Sequence, residues 1–158
     1  MASVMFLGVG ISSRLKKRSV FLAEAVMFIS RVSMEIEYVN LPLFEILKKI
    51  NESGCCRSLD FIPSCISLWE KGEDFSFAWQ NSLKNSALPM KKEEKAKLFD
   101  MGDMLGTSDA EGQRAMLSLY AEYFSAYSTR AAEEYGKYGK MCITLSAVTG
   151  TGLFILLM

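Results

Sequence analysis

Residues 19–39 read SVFLAEAVMFISRVSMEIEYV, and their spacing decides the fold class. Leu22, Ala25, Ile29, Val32, Ile36 and Val39 recur at intervals of three and four, the period of one face of an α-helix. Glu24, Arg31, Glu35 and Glu37 fall mostly off that stripe, as the solvent side of an amphipathic helix requires. No stretch of the chain alternates convincingly at period two, so strands are not expected.

Working outward, the prolines and glycines punctuate further helices. Asn40 or Leu41 can cap a second helix with Pro42 in its first turn, where the missing N–H costs nothing. Leu43, Leu47 and Ile50 form its apolar face, and Asn51 to Gly54 end it. Asp60 is expected to cap a third helix carrying Ile62, Ile66 and Trp69, stopped at Gly72. Glu73 or Asp74 leads into a fourth, with Phe75, Ala78, Trp79 and Leu83 on one side. Pro89 opens a fifth, with Leu98, Met101 and Leu105 inward and Lys91 to Lys97 as its solvated face. Gly106 closes it as a left-handed cap. Ser108 with Glu111 matches a capping box for the last helix. Its stripe is Gln113, Leu117, Tyr120, Phe124, Tyr127 and Ala131. The expected fold is therefore all-α, a compact bundle of about six helices.

The chain has 158 residues, half of them hydrophobic, with 18 basic and 18 acidic side chains. The zero balance hides a segregation, because every charge lies between Arg14 and Lys140. Residues 141–158, MCITLSAVTGTGLFILLM, carry none. As a helix these would reach about 27 Å, close to the ~30 Å hydrocarbon core of a bilayer. A transmembrane helix is expected there, with Met141, Leu145, Val148, Leu153, Ile155, Leu157 and Met158 along it, continuing the last bundle helix past Gly136 and Gly139. A buried soluble helix is the alternative, disfavoured by Gly150, Thr151 and Gly152. Residues 1–13, MASVMFLGVGISS, are uncharged as well. They would cover only about 20 Å, an incomplete span, an interfacial segment or a frayed end. Basic residues flank both bare ends on the inner side: Arg14, Lys16, Lys17 and Arg18, then Arg130, Lys137 and Lys140. The positive-inside tendency places residues 14–140 in the cytoplasm.

The composition also narrows the chemistry. Zero net charge argues against a nucleic-acid binder relying on bulk charge. Histidine is absent, which removes Ser-His and Cys-His nucleophile pairs and the commonest zinc ligand. No phosphate loop, GxGxxG or HExxH motif occurs, and no cofactor is expected. Adjacent Cys55 and Cys56 could be an oxidised pair or a ligand pair, with reduced thiols the simpler reading; Cys65 and Cys142 stand apart. Asp100, Asp103, Asp109 and Glu111 could gather a hard cation, although caps and surface acids also explain them.

Three stretches, in this order, resemble the stage III sporulation protein AB family. They are MEIEYVNLPLFEILKKI (Met34–Ile50), GEDFSFAWQNSL (Gly72–Leu83) and LFDMGDMLGTSDAEGQ (Leu98–Gln113). The terminal TGTGLFILLM resembles the family's last membrane helix. The family is in turn similar to the F-type platform proteins of type II secretion. The resemblance implies a non-enzymatic membrane platform in the channel between mother cell and forespore. Its cytoplasmic bundle would dock a secretion-type ATPase and other channel subunits from the mother-cell membrane facing the forespore. The matched residues of interest are Glu35, Tyr38, Pro42, Glu45, Trp79, Gly102, Gly106, Asp109 and Gln113, as determinants of the fold or of an interaction surface. Family members carry a full N-terminal membrane helix, whereas 13 residues precede Arg14 here, so an upstream start or a single span is expected. The alternative reading is a membrane-anchored helical metal sensor or enzyme using Asp100 to Glu111; a small pore-forming protein is a third.

Overall fold

The computed structural model describes the backbone of residues 2–38, 41–107 and 110–139, and the side chains of 10–38, 41–105 and 112–138. Among these residues every regular element is helical: α1 (Ala2–Tyr38), α2 (Leu43–Ser53), α3 (Phe61–Glu70), α4 (Phe75–Asn85), α5 (Lys92–Thr107) and α6 (Ala110–Glu134). A π-helical turn, Tyr135–Gly139, follows α6 directly.

The apolar stripes meet in one core. Leu22, Ala25, Ile29, Val32 and Ile36 of α1 are buried together with Leu47, Ile50, Ile62, Ile66, Ala78, Trp79, Leu83, Leu98, Met101, Leu105, Leu117, Tyr120, Phe124 and Ala131. Each helix packs against the next in sequence, and α6 returns to α1, so the chain closes a ring around that core. The α1–α6 pair is antiparallel. Arg18 of α1 meets Glu134, and Glu37, further along α1, meets Arg114 near the start of α6. At this register Gly139 lies opposite about residue 13, and α1 runs on for roughly 17 Å beyond it. The N-terminal end of α1 and the point where residues 140–158 follow Gly139 thus share one pole of the bundle.

Local geometry agrees with the expected punctuation at some joints and departs from it at others. Gly54 ends α2 at φ 65°. Gly72 ends α3 at φ 91°, with Gly72 N donating to Trp69 O and Glu73 N to Leu68 O, the paired bonds of a Schellman cap. Asp74 caps α4, accepting from Ser76 N at 3.0 Å. Pro42 instead occupies the N-cap position itself, its carbonyl accepting from Ile46 N. Asp60 precedes α3 but does not cap it. Its carboxylate accepts from Ser86 Oγ at 2.5 Å and Ala87 N at 3.2 Å, tying the start of α3 to the end of α4. Pro89 lies in the loop before α5, whose bonding begins with Lys95 N donating to Lys91 O. Helix α5 continues through Gly106 to Thr107, so Gly106 belongs to the helix and does not cap it. Helix α1 begins at Ala2, not near Ser19, because nothing between residues 2 and 38 breaks it. The Ser108–Glu111 capping box and Asp109 lie outside the described residues. So does the segment Met141–Met158, with Leu145, Val148, Leu153, Ile155, Leu157 and Cys142. Among the described residues no helix is long and apolar enough to cross a membrane.

Trp79 is the centre of the core. It is fully buried, touches Phe28, Phe61 and Phe75 at ring-centroid distances of 6.3, 5.2 and 5.7 Å, and donates its indole N–H to Leu98 O at 2.7 Å. Its ring lies flat enough on α5 that a Cβ at Gly102 would fall inside the indole atoms Cδ1 and Nε1. A methyl group at 102 therefore has nowhere to go unless the indole moves. Gly102→Ala is expected to lower stability by about 3 kcal/mol through overpacking. In a Trp79→Ala background, itself about 3–5 kcal/mol less stable, the same change should become neutral or stabilising by up to ~1 kcal/mol, the helix preference of Ala over Gly. Denaturant melts of the four chains measure the sign change.

Candidate functional site

The pole shared by the start of α1 and Gly139 is built on charges buried between helices. Three apolar stripes continue, in phase, into a charged residue. Arg18 precedes Leu22 by four on α1, Glu94 precedes Leu98 by four on α5, and Glu134 follows Ala131 by three on α6. The structure brings all three together. Arg18 is 7 % exposed and Glu94 1 %. The guanidinium of Arg18 donates to Glu94 through Nε, at 3.1 Å to Oε1, and through Nη2, while Nη1 donates to Glu134 Oε2 at 2.5 Å. Lys91 Nζ donates to the second oxygen of Glu134 at 2.9 Å. Glu94 Oε2 also accepts the backbone N–H of Lys91 at 2.8 Å, which satisfies a free amide at the start of α5. Two cations and two anions thus make a neutral network joining α1, α5 and the end of α6.

The electrostatics follow from this geometry. Burial by itself lowers the pKa of the Arg18 guanidinium, but the hydrogen bond and charge of Glu94, then Glu134, outweigh it and hold the group above its ordinary value. The hydrogen bond from Lys91, helped by Arg18, holds the Glu134 carboxyl below its usual range. Of the basic run after residue 13, only Arg18 turns inward; Arg14, Lys16 and Lys17 are exposed. Cavities of about 380 and 390 Å³ flank Pro89 beneath these residues, one lined by Ile11, Arg14, Leu15 and Lys91, the other by Lys16, Lys17 and Val20. The reading of Lys91–Lys97 as a purely solvated face is corrected at Glu94, which lies in the core because it falls on the Leu98 stripe.

The residues singled out from the sequence divide into two groups. Trp79, Gly102 and Gln113 belong to the α4–α5–α6 seam, where Gln113 Nε2 donates to Leu105 O at 2.9 Å. Glu35, Tyr38, Pro42 and Glu45 belong to the α1–α2 corner. There Glu35 pairs with Lys49 at 2.7 Å, Tyr38 is 78 % exposed, and Glu45 occupies the first turn of α2, where its charge complements the helix dipole. Asp100 is exposed. Asp103 accepts from Ser76 Oγ at 2.5 Å and Gln80 Nε2 at 2.8 Å, so it ties α4 to α5. Among the described residues no three His, Cys, Asp or Glu side chains are grouped to hold a metal ion; Asp109 and Glu111 lie outside those with described side chains.

A second face of α1 was not read from the sequence. Val20, Met27 and Met34 recur every seven residues and are 43, 48 and 51 % exposed. The stripe starting at Leu22 defines the buried face, and this heptad row lies on the other side, where only the tertiary packing reveals that no described helix covers it.

The model of one protein family, stage III sporulation protein AB, matches residues 1–158. The chain belongs to the stage III sporulation protein AB family. No curated protein and no solved structure matches it. For this stage III sporulation protein, the buried network and the exposed heptad row are features, among the described residues, outside the ordinary requirements of a helical core.

Removing Arg18 leaves the buried carboxylate of Glu94 without its cation. Arg18→Met is expected to cost about 3–5 kcal/mol, whereas the double change Arg18→Met with Glu94→Leu should recover most of that loss. Thermal melts followed by circular dichroism measure the cycle. Because the Glu134 pKa is depressed in the folded chain, its contribution is complete above the ordinary value of 4.5 and disappears as pH falls through the lowered one. The stability gap between wild type and Glu134→Gln is therefore expected to be widest at neutral pH and to close on acidification.

Proposed function

We propose that this chain is a non-catalytic membrane platform subunit of a sporulation-specific, secretion-like channel between mother cell and forespore. Membership of the stage III sporulation protein AB family carries the sporulation part of this reading. The membrane part is supported by the shared pole: the antiparallel α1–α6 pair puts the start of α1 and Gly139 on one side, where a single bilayer could receive the uncharged segments. Exposed Arg14, Lys16 and Lys17 stand at that pole, suited to lipid phosphates on the cytoplasmic leaflet. Residues 14–140 form the cytoplasmic bundle in this reading, and residues 141–158 the membrane helix, in the mother-cell membrane facing the forespore.

The platform part is supported by the apolar row on α1. An exposed row of Val20, Met27 and Met34 at heptad spacing offers a helix-sized docking face. Its partners would be the channel's secretion-type ATPase and neighbouring membrane subunits. The row runs along the helix that carries Arg18, so the buried network holds the docking face rigid relative to the membrane pole. Asp103 ties α4 to α5, and among the described residues no group of acids is placed to hold a metal ion.

Photocrosslinking amino acids placed at Met27 and Met34 in sporulating cells test the proposal, with Phe77, an exposed aromatic on α4, as the comparison position. Capture of the ATPase or another channel subunit from the α1 positions, above the level at Phe77, is expected. Capture of neither, with the protein accumulating equally in vegetative cells, overturns the reading.

A further inference from the structure

The turn after α2 sets two thiols against each other, a feature that the scaffold role does not use. In a helix, adjacent side chains diverge by about 100°. Here Gly54 takes a left-handed conformation, α2 ends, and the chain curls through Cys55 and Cys56. Their Sγ atoms lie 3.4 Å apart, and both residues are half-buried with free thiols. The pair is unequal. Ser53 Oγ stands between Ile50 O at 2.7 Å and Cys55 Sγ at 3.1 Å, its single proton shared between the two acceptors. Cys56 Sγ lies 3.8 Å from the backbone carbonyl of Glu24 on α1, so its S–H can be given to that oxygen or to Cys55 Sγ.

We propose that Cys55 and Cys56 form a hydroperoxide-reactive dithiol that closes reversibly to a vicinal disulfide. Cys55 is the attacking sulfur. The Ser53 hydroxyl lowers its pKa, against the effect of burial, and the Cys56 thiol and the charge of Arg31 add to that lowering. Cys56 is the resolving sulfur, held protonated by burial and by Cys55, its thiol pushed up to about 12.

In the first step the Cys55 thiolate attacks one oxygen of the peroxide and the O–O bond breaks. The second oxygen leaves as hydroxide, which takes up a proton to become water. Cys55 is then a neutral sulfenic acid, and the like charge opposing ionisation of Cys56 is gone. In the second step the Cys56 sulfur attacks the Cys55 sulfur. The S–O bond breaks and the departing hydroxide takes the Cys56 proton as a second water. Two thiols are oxidised by two electrons, one hydroperoxide is reduced, and one S–S bond forms. Adjacent Cα atoms are about 3.8 Å apart, below the roughly 4.4–6.8 Å usual for disulfides, so the closed bond opens readily to a dithiol reductant. Cys65 is fully buried, with its thiol pushed up to about 12 by burial, and provides an internal reference.

The full chain in detergent is treated with hydrogen peroxide, alkylated and digested with trypsin. Cleavage after Lys49 and Arg57 puts Cys55 and Cys56 on one peptide, Ile50–Arg57, and Cys65 on the next, Ser58–Lys71. The Ile50–Arg57 peptide is expected to lose two hydrogens and its alkylation, and to regain both with dithiothreitol, while Cys65 stays alkylatable. Cys56→Ser should leave a sulfenic acid at Cys55 that dimedone traps, and Cys55→Ser should leave Cys56 without an adduct. Oxygen retained on Cys55 with Cys56 still alkylatable, a link between two chains, or oxidation no faster than at Cys65 overturns the proposal.

Discussion

A guanidinium removed from water between two carboxylates constrains the rest of this fold. Arg18 is stable where it lies only if Glu94 and Glu134 are both in reach, because an uncompensated buried charge costs several kcal/mol, a large part of the ~5–15 kcal/mol by which a domain is stable at all. Those partners are 76 and 116 positions away in the chain. Sliding α6 along α1 by one turn would carry Glu134 about 5.4 Å from the guanidinium. The apolar stripes alone would tolerate several registers, since one buried aliphatic face packs on another in many ways. The three charges accept one.

That register has consequences at both ends of the bundle. At one end it aligns the start of α1 with the end of α6. At the other it places Glu37 beside Arg114. Between them Trp79 locks α4 onto α5 over Gly102, and Phe28 of α1 reaches the same ring. The helices are therefore joined by two unlike devices, a polar clamp at the pole and an aromatic plug in the middle. The outer face of α1, bearing Met27 and Met34, is carried on a helix fixed by both. Such a face suits docking, since little ordering cost remains to be met on binding.

The zero net charge reads differently once the charges have places. Arg18 belongs to the interior, and Arg14, Lys16 and Lys17 to the surface of the pole. Lys91 and Glu134 bridge the two environments. A basic run of four residues in the sequence therefore serves two purposes: helical phase turns Lys16 and Lys17 away from Arg18, which falls on the line of Leu22, while Arg14 shares that line one turn nearer the pole and is exposed.

The all-α class, the inward faces of α1, α4, α5 and α6, and the stops at Gly54 and Gly72 were legible in the sequence. Each rests on local physics: a 3.6-residue period, and a left-handed backbone that glycine adopts without strain. Phase could also have exposed Arg18, Glu94 and Glu134, had the stripes been followed one step past their last apolar residue. Other assignments were beyond any local rule. Asp60 has the identity of a helix cap, yet its carboxylate serves the loop after α4, because the packing of α3 on α4 brings Ser86 and Ala87 to it. Glu94 has the identity of a surface acid, yet it is the most buried charge described. Cys55 and Cys56 are neighbours in any fold, and only the curl after Gly54 turns their sulfurs together. Sequence by itself determined which segments are helices and which faces are apolar, since dihedral preference and periodicity act over a few residues. Tertiary structure decided which polar groups are partners and which apolar row stays uncovered, since those depend on contacts between residues far apart in the chain.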